Sequence, residues 1–307
     1  MRIRIYGKLS KGKPSILTCN CPRSLIPINF GQHFLSMYSL KNKVIVITGG
    51  SSGIGKALVD LSLARGAKVA VCARNLAKLE SHFKAGDNLF CFKADVSIEA
   101  DCEAFINATQ NKWGGIDVLI NNAGISMRAL FDEAHLSVIK ELMDINFWGS
   151  VYCTKFALPY IIKNKGIISS VSSIAGYRGL PARTGYSASK FALNGFMEAL
   201  RTELLHTGVH VMWVAPGFTA SNIRNVARSS DGSAQAETPL EENKLMSAEE
   251  CARRILDGAE KKKRTIVMTS QGFLAVWLNK LLPAFADKMV YKHFLSEPGS
   301  PLQKYEK

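Results

Sequence analysis

The chain has 307 residues, of which 47% are apolar and 21% are charged. This composition excludes an intrinsically disordered protein and suits one large α/β domain or two small ones. The formal net charge is +14, and a basic surface can attract nucleic acid, anionic lipid or a phosphorylated cofactor. Nucleic-acid binding is not expected, because the sequence has neither a zinc-finger spacing nor a basic helix with interleaved aromatic residues.

Residues 1–40 form a basic segment without acidic residues, and we expect this segment to be disordered or outside the fold. Three interpretations compete: a targeting peptide, a disordered arm, or codons upstream of a true start at Met37, and the last two are favoured. No apolar run reaches the roughly 18 residues that a membrane-spanning helix needs. The charge of the segment comes from Arg2, Arg4, Lys8, Lys11, Lys13 and Arg23.

The seven cysteines are odd in number, and most of them fall in apolar runs. Buried free thiols in a reducing compartment therefore fit better than a disulfide framework, and we expect a cytoplasmic protein. Cys19 and Cys21 suggest a metal pair, but no second pair with ligand spacing accompanies them. No metal site is expected.

From residue 41 onward, short apolar runs alternate with amphipathic stretches. The run Val44–Ile47 is typical of a strand that is buried on both faces. Strands that alternate with helices predict right-handed crossovers and a parallel sheet. We therefore expect a single α/β domain of the Rossmann-like, doubly wound type over residues 41–270, with a mainly parallel sheet of about seven strands flanked by helices. Strands are predicted at 44–47, 68–73, 89–93, 118–120, 167–171, 209–214 and 265–269, and helices up to about 65, from about 75, over 98–113, twice within 137–164, and over 186–206.

Two segments break this alternation. Residues 218–246 are polar and rich in Ser, Ala and Glu, and their place after the sixth strand predicts a lid. Residues 271–307 form an apolar extension that follows the basic run 261–264. This extension could lie on a bilayer as an amphipathic segment, which would make the protein peripheral at a membrane surface. It could instead cover the substrate pocket or join subunits, and these two roles together are slightly favoured.

A glycine-rich loop, Thr48-Gly49-Gly50-Ser51-Ser52-Gly53-Ile54-Gly55, links the first strand to the first helix. Its glycines permit a tight turn and a close approach of backbone to a pyrophosphate, and the helix N-terminus supplies free N–H groups. The position between a buried strand and a helix is the context that a dinucleotide site requires. The predicted cofactor contacts in this loop are Gly49, Ser51, Ser52, Gly53, Ile54 and Gly55.

The spacing TGxxxGxG differs from the common dinucleotide motif and resembles that of the short-chain dehydrogenase/reductase family. The resemblance runs from about Lys41 to about Thr269 and includes an NNAG motif, residues 121–124, after the fourth strand. It also includes a Pro-Gly pair after the sixth strand, and it implies that Thr219 or Ser221 contacts the nicotinamide carboxamide. The further residues that the resemblance assigns to the cofactor are Asp95, Val96, Asn122, Ala123, Gly124, Pro216, Gly217 and Thr219.

Arg74 favours NADP(H) over NAD(H) as the cofactor. An NAD site needs an acidic residue at the end of the second strand to bind the ribose 2′-hydroxyl. The sequence there is Cys72-Ala73-Arg74-Asn75, which contains no acid. A guanidinium is permanently charged and donates a planar fork, so Arg74 can pair with a 2′-phosphate.

Tyr186 and Lys190 are four residues apart, so on a helix their side chains share one face. A free tyrosine has a pKa of about 10, and a neighbouring ammonium lowers that pKa by favouring the phenolate. Tyr186 could then donate a proton to a carbonyl oxygen during reduction and accept one in reverse. The family resemblance implies this role for the YxxxK pair. It also implies that Tyr186 and Lys190 both contact the cofactor, Lys190 at the nicotinamide ribose.

Ser173 follows the fifth strand, and its hydroxyl can hydrogen-bond the substrate oxygen. Ser172 is adjacent, but the family's spacing from Ser to Tyr and the context Ser-Ser-x-Ala-Gly select Ser173. Asn146 matches the family's asparagine that supports a proton relay through water and the lysine. The predicted catalytic residues are Asn146, Ser173, Tyr186 and Lys190.

These observations predict an NADP(H)-dependent oxidoreductase that interconverts a carbonyl and an alcohol of a small-molecule substrate. The C-terminal extension is similar to those of family members that reduce lipid-like ketones, such as 3-ketosphinganine reductases and 11β-hydroxysteroid-type enzymes, which favours a hydrophobic ketone. The main alternative is a catalytically silent NADP(H)-binding sensor or scaffold. A second alternative, an epimerase or dehydratase, usually carries a larger substrate domain.

The sequence leaves the substrate and the number of subunits open. The family resemblance implies a homo-oligomer, a dimer or tetramer. Candidate pocket residues have mixed apolar and polar character, which permits a lipid-like ketone, a steroid, a quinone or a small carbonyl. They are Ile125, Met127, Ala175, Tyr177, Arg183 and the segment after Phe218.

Overall fold

The computed structural model describes residues 37–84, 86–220, 223–235 and 245–306. The chain divides into two units, residues 1–36 and Met37–Lys307. Our expectations for the first 36 residues, including Cys19 and Cys21, lie outside the described residues. The five cysteines in the described part of the chain are free, and four of them are buried.

The described residues form one sheet of seven strands: β1 (Val44–Thr48), β2 (Lys68–Ala73), β3 (Leu89–Lys93), β4 (Val118–Asn121), β5 (Ile167–Val171), β6 (His210–Ala215) and β7 (Thr265–Val267). All pairings are parallel, and the strand order is β3-β2-β1-β4-β5-β6-β7. Ile45 and Ile47 pack into one core cluster and Val46 into the other, because successive side chains of a strand point to opposite faces. The predicted Rossmann-like parallel α/β fold is confirmed.

Helices cover both faces of this sheet in the part of the chain that the structure describes. They are α1 (Gly53–Ala64), α2 (Leu76–His82), α3 (Glu99–Trp113), α4 (Leu136–Met143), α5 (Gly149–Asn164), α6 (Thr184–Glu203), α7 (Ala248–Glu260), α8 (Ser270–Leu281) and α9 (Pro283–Leu295). The first core cluster contains α1, α2 and α7, and the second contains α3 to α6. Each face of the sheet is therefore closed by its own layer of helices.

The two helices predicted within residues 137–164 form one continuous helical stretch. A π-helical turn, Asp144–Trp148, joins α4 to α5 and contains Asn146. Single π-turns inside α-helices are frequent at functional sites. α6 begins at Thr184, two residues earlier than predicted, so Tyr186 and Lys190 both lie in its first two turns.

The fold begins slightly before residue 41. The Tyr38 backbone N–H donates to the Glu260 carbonyl at 2.8 Å, and Leu40 is 1% exposed in the core. The described fold thus includes residues that we expected to lie outside it, because their apolar side chains have a place beside α7.

The C-terminal extension packs against the domain through ion pairs. The Arg178 guanidinium lies 2.6 Å from the Asp287 carboxylate in α9, and the Lys304 ammonium lies 2.7 Å from the Asp132 carboxylate. Among the described residues no helix is long and apolar enough to cross a membrane. Several large apolar side chains of α8, α9 and the residue between them are exposed: Phe273, Leu274, Trp277, Leu281, Leu282, Phe285 and Met289. Contact of these side chains with a membrane surface or a second copy of the chain stays a prediction.

Candidate active site

The candidate site lies at the carboxyl ends of the strands, where the order of the sheet reverses. β2 and β4 follow β1 in the chain but lie on opposite sides of it. Open parallel sheets bind ligands in the crevice at this switch point. Two cavities of about 440 Å³ and about 550 Å³ open here. They share the lining residues Ile54, Val171 and Ile223, so they meet.

The glycine loop has the close backbone geometry that its sequence predicts. Gly49 has a φ of +73°, which disfavours a side chain. A Cβ on Gly55 would collide with the Gly49 carbonyl oxygen. The Asn122 Nδ2 donates to the carbonyl oxygens of Thr48 and Gly49 at 2.9 and 3.1 Å, which fastens the loop to the end of β4.

The N-terminus of α1 faces the smaller cavity without a side-chain cap. Its N-cap residue, Ser52, makes no side-chain hydrogen bond to the first turn, so the N–H groups of that turn can serve a bound anion. The loop and helix therefore form a cradle that fits a dinucleotide pyrophosphate. Twelve of the residues predicted to bind the cofactor line this cavity: Gly49, Ser51, Ser52, Gly53, Ile54, Gly55, Arg74, Asp95, Val96, Asn122, Ala123 and Gly124.

Arg74 is exposed at the carboxyl end of β2 and lines the smaller cavity. Lys78 lines the same cavity, and sequence reasoning missed this residue. Lys78 comes four residues after Arg74, and this spacing could have indicated it. Asn75 caps α2 by accepting from the Lys78 N–H at 2.9 Å, which places Lys78 in the first turn of that helix. Two cations thus line the smaller cavity beside the carboxyl end of β2.

Asp95 lines the smaller cavity, and its carboxylate accepts hydrogen bonds within the turn that follows β3. Its Oδ1 accepts from the Ser97 hydroxyl at 2.7 Å and from the Ser97 N–H at 3.0 Å. These bonds fix the loop after β3, so Asp95 and Val96 present a rigid edge to the cavity.

Tyr186 and Ser173 lie together on the wall of the larger cavity. α6 carries Tyr186, and the loop after β5 carries Ser173. The Ser173 side chain lies close enough to the Tyr186 hydroxyl to lower its pKa, and the Ser173 Oγ accepts from the Ala175 N–H at 3.1 Å. The structure thus brings this predicted pair together where the two cavities meet.

Lys190 lies behind Tyr186 and is almost fully buried. Its Nζ lies 5.8 Å from the centre of the Tyr186 ring and donates to the Val171 carbonyl at 2.9 Å. Burial lowers the pKa of Lys190 to about 8, because desolvation disfavours the ammonium. The lysine is therefore still mainly protonated at neutral pH.

The pKa of Tyr186 is raised above its ordinary value, whereas we expected it to be lowered by Lys190. Burial is the main cause, and it outweighs the hydrogen bond from Ser173 and the positive charge of Arg183, which both lower the pKa. In the structure, the phenol is thus held in its protonated form at neutral pH, and Ser173 and Arg183 are the neighbours that stabilise the phenolate.

Asn146 connects the NNAG loop to α6. Its Oδ1 accepts from the Ile125 N–H at 2.8 Å, and its Nδ2 donates to the Ile125 carbonyl at 3.0 Å and to the Ser189 hydroxyl at 2.9 Å. A Cβ on Gly124 would lie 3.0 Å from the Asn146 Oδ1 and 3.5 Å from the Lys190 Nζ. Asn146, Gly124 and Lys190 therefore converge, and the glycine leaves room for them.

The larger cavity is mainly apolar, and α8 and α9 supply much of its wall. Pro216, Gly217 and Thr219 line this cavity rather than the smaller one. The Thr219 hydroxyl donates to the Gly217 carbonyl at 3.2 Å, and Ser221 lies outside the described residues. Covering the pocket was one of the roles expected for the C-terminal extension, but the sequence did not indicate which of its residues form the wall: Gly272, Leu274, Ala275, Leu278, Ala286, Met289, Val290, His293 and Phe294.

Three expected pocket residues do not line either described cavity. Met127 and Ala175 are fully buried in the core. The hydroxyl of Tyr177 accepts from the Trp213 Nε1 at 2.7 Å instead. Arg183 and Phe218 do line the larger cavity, and Ile125 lines the smaller one.

The segment predicted as a lid, residues 218–246, is described at 218–220, 223–235 and 245–246, and Arg228 holds it to the domain. Its guanidinium forms two bonds of 2.6 and 2.8 Å to the Glu141 carboxylate in α4. Its backbone N–H donates to the Ser126 carbonyl at 2.9 Å. The segment lies over both cavities through Ile223, and its role as a lid stays a prediction.

Residues 43–232 match the family model described as short chain dehydrogenase. The chain belongs to the short-chain dehydrogenase/reductase family. It is 34% identical over 250 residues to the 11-beta-hydroxysteroid dehydrogenase-like 4A of Arabidopsis thaliana, which covers 80% of this chain and 82% of that protein. It is 32% identical over 292 residues to the dehydrogenase/reductase SDR family member 7B of Mus musculus, which covers 88% of this chain and 90% of that protein.

Solved structures of the family share this fold. A short-chain dehydrogenase/reductase from Burkholderia phymatum in complex with NAD superposes with a TM-score of 0.72 at 20% identity, over 81% of this chain and 96% of that chain. A short-chain dehydrogenase from Burkholderia cenocepacia in complex with NADP gives 0.70 at 21% identity, over 82% and 99%. As a family member, the protein is an oxidoreductase that uses a nicotinamide cofactor and acts on CH–OH groups or the corresponding carbonyls.

Proposed function

We propose that the protein is an NADP(H)-dependent reductase that converts a hydrophobic, lipid-like or steroid-like ketone to its alcohol, and that it can run in reverse. The observation that carries this proposal is the Tyr186–Ser173 pair on the wall of an apolar cavity that meets the nucleotide cavity. A reductase needs this arrangement, because its proton donor must reach the substrate oxygen beside the cofactor.

Tyr186 is the proposed proton donor. A bound reduced nicotinamide would supply a hydride to the carbonyl carbon, and the electron pair of the C=O bond would move to the oxygen. The Tyr186 hydroxyl then gives its proton to that oxygen and becomes a phenolate. Ser173 stabilises the phenolate, and the positive charge of Arg183 opposes the cost of forming it in a buried place. The Lys190 ammonium lies 5.8 Å from the centre of the same ring. Oxidation of the alcohol returns the proton to Tyr186.

The cofactor is proposed to be NADP(H) rather than NAD(H). Arg74 and Lys78 line the nucleotide cavity at the end of β2, where an NAD site would carry an acid. A 2′-phosphate would place about two negative charges beside these two cations, whereas a 2′-hydroxyl would leave them without a partner.

The apolar wall formed by α8 and α9 supports a hydrophobic substrate. Side chains such as Leu278 and Val290 face the larger cavity, and apolar surface binds apolar ligands by releasing water. The name of the Arabidopsis thaliana relative refers to a hydroxysteroid, which agrees with this choice of substrate class.

The test is a panel of steroid and lipid ketones, with loss of NADPH absorbance as the readout. We expect turnover by the wild type and a loss of about 10²–10⁴-fold or more in Tyr186→Phe, because general acid catalysis contributes that much. NADPH binding, measured by the change in its fluorescence, should be nearly unchanged. Tyr177→Phe is the matched control, since its hydroxyl bonds Trp213 and lines neither cavity.

The outcome separates the proposal from its alternatives. Undiminished turnover in Tyr186→Phe would contradict the catalytic assignment. A wild-type protein that binds NADPH and reduces no ketone would favour the silent sensor. A product formed with no net change in NADPH would favour an epimerase or dehydratase.

A further inference from the structure

Two arginines and one glutamate form a buried cluster beside Tyr186. The side chains of Arg183, Arg128 and Glu297 are only 10%, 11% and 5% exposed. Arg183 is the N-cap residue of α6, three residues before Tyr186, and Glu297 follows α9. Because two guanidinium groups share one carboxylate, the cluster has an excess of one positive charge in a place with little water.

The bonds that hold Arg183 are long. Its Nη2 lies 3.3 and 3.5 Å from the two Glu297 oxygens, and its Nη1 lies 3.4 Å from the Pro181 carbonyl. Charge-assisted hydrogen bonds between nitrogen and carboxylate are usually about 2.7–2.9 Å long. A guanidinium has five N–H donors, so much of the bonding capacity of Arg183 is weakly used.

Glu297 is also shared with the second arginine. Its carboxylate lies 3.7 Å from the Arg128 Nη2, and that nitrogen donates to the Pro298 carbonyl at 2.7 Å. The Arg128 Nε is buried and has no hydrogen-bond partner. In this arrangement the carboxylate holds both cations only at long distances, so a second anion would lower the cost of burying them.

Arg183 lines the larger cavity, where a substrate would be bound. The described lining of this cavity contains no acidic residue. Arg178 lines it as well, but it is held by the Asn279 Oδ1 at 2.9 Å and by the Asp287 carboxylate at 2.6 Å. The Phe294 ring lies 4.6 Å from the Arg183 guanidinium carbon and fixes its plane.

We propose that Arg183 binds an oxyanion group of the substrate, a carboxylate or a phosphate, so that the protein acts on ketones with an acidic group and an apolar tail. This inference rests on the proposed function and narrows its substrate class. The Arg183 guanidinium would receive the acidic group close to Tyr186, and the wall formed by α8 and α9 would receive the tail. Glu297 is a positioning residue, since it holds Arg183 while leaving donors for the substrate.

The test compares a medium-chain keto acid, its methyl ester, and the same chain with a phosphate in place of the carboxylate. The ratio of kcat/KM for acid over ester, measured with NADPH, should be about 10–100 in the wild type, because a bond to a charged group is worth about 1.5–3 kcal/mol. Whichever oxyanion gives the larger ratio over the ester identifies the source of the charge.

Arg183→Met should reduce this ratio to about 1. The rates with acid and ester should both fall, because Arg183 also stabilises the Tyr186 phenolate, so the ratio and not the rate is the readout. Arg178→Gln is the matched control, and it should keep the ratio, because Arg178 is already paired. Glu297→Gln should raise the ratio, because the Glu297 carboxylate competes with the acidic group of the substrate for Arg183, and glutamine removes that charge while it keeps the shape of the side chain. This second variant preserves the test if Arg183→Met does not fold.

Equal kcat/KM values for acid and ester in the wild type would overturn the inference and leave the proposed function intact. An undiminished preference for the acid in Arg183→Met, or a loss of preference in Arg178→Gln alone, would also overturn it. If no ketone is reduced, the proposed function fails. The inference is then decided by calorimetry of the keto acid and its ester, in which tighter binding of the acid that is lost in Arg183→Met supports it and equal binding refutes it.

Discussion

Replacing Asn146 with alanine tests whether the π-turn between α4 and α5 is a structural brace as well as part of the site. Asn146 is fully buried, and its amide makes three hydrogen bonds, two of them to the backbone of Ile125. Alanine would leave the Ile125 N–H and C=O unpaired in a buried place, at about 1–3 kcal/mol each. The Ser189 hydroxyl would keep its bond to the Tyr186 carbonyl at 2.7 Å. The free energy of unfolding should therefore fall by about 2–6 kcal/mol.

The measurement is urea or thermal unfolding followed by circular dichroism. For a domain of this size, about 1 kcal/mol lowers Tm by about 2–4 °C, so Asn146→Ala should melt at least about 4 °C below the wild type. Asn164→Ala is the control, because it removes a single, partly buried bond of 3.1 Å to the Ile116 carbonyl. If Asn146→Ala had the Tm of the wild type, or lost no more stability than Asn164→Ala, the hydrogen bonds of Asn146 to Ile125 and to Ser189 in α6 would not stabilise the fold.

Two further predictions concern charge. The pKa of Lys190 is lowered to about 8, so its ammonium is present below that pH and is lost above it. The value of kcat/KM for ketone reduction should therefore fall by up to about tenfold per pH unit above about pH 8. A rate that stays flat from pH 7 to 10 would show that the ammonium is not needed. Arg74→Asp should lower the preference for NADPH over NADH, because it replaces a cation of the nucleotide cavity with an anion. Lys93→Asp, at the exposed end of β3, is the control and should leave this preference unchanged. An unchanged ratio of kcat/KM for the two cofactors in Arg74→Asp would show that Arg74 does not bind the 2′-phosphate.

The parallel sheet and the positions of the main motifs can be predicted from the order of residues along the chain. Runs such as Val44–Ile47 are apolar at every position, and only a strand covered on both faces uses such a run. A glycine loop between such a strand and a helix fixes where a nucleotide can approach, because a Cβ on Gly55 would meet the Gly49 carbonyl. The buried strands and the glycine loop depend on residues that are close together in the chain, so they can be predicted before the fold is known.

Which distant residues meet, and how they change each other's pKa values, depends on the folded chain. Sequence spacing placed Lys190 beside Tyr186, but the burial that raises the pKa of Tyr186 depends on how α6 packs over the sheet. Arg183 and Glu297 are 114 residues apart, and no local pattern connects them. The C-terminal helices become a wall of the substrate cavity for the same reason: burial and charge pairing depend on distances through space, which separation along the chain does not give.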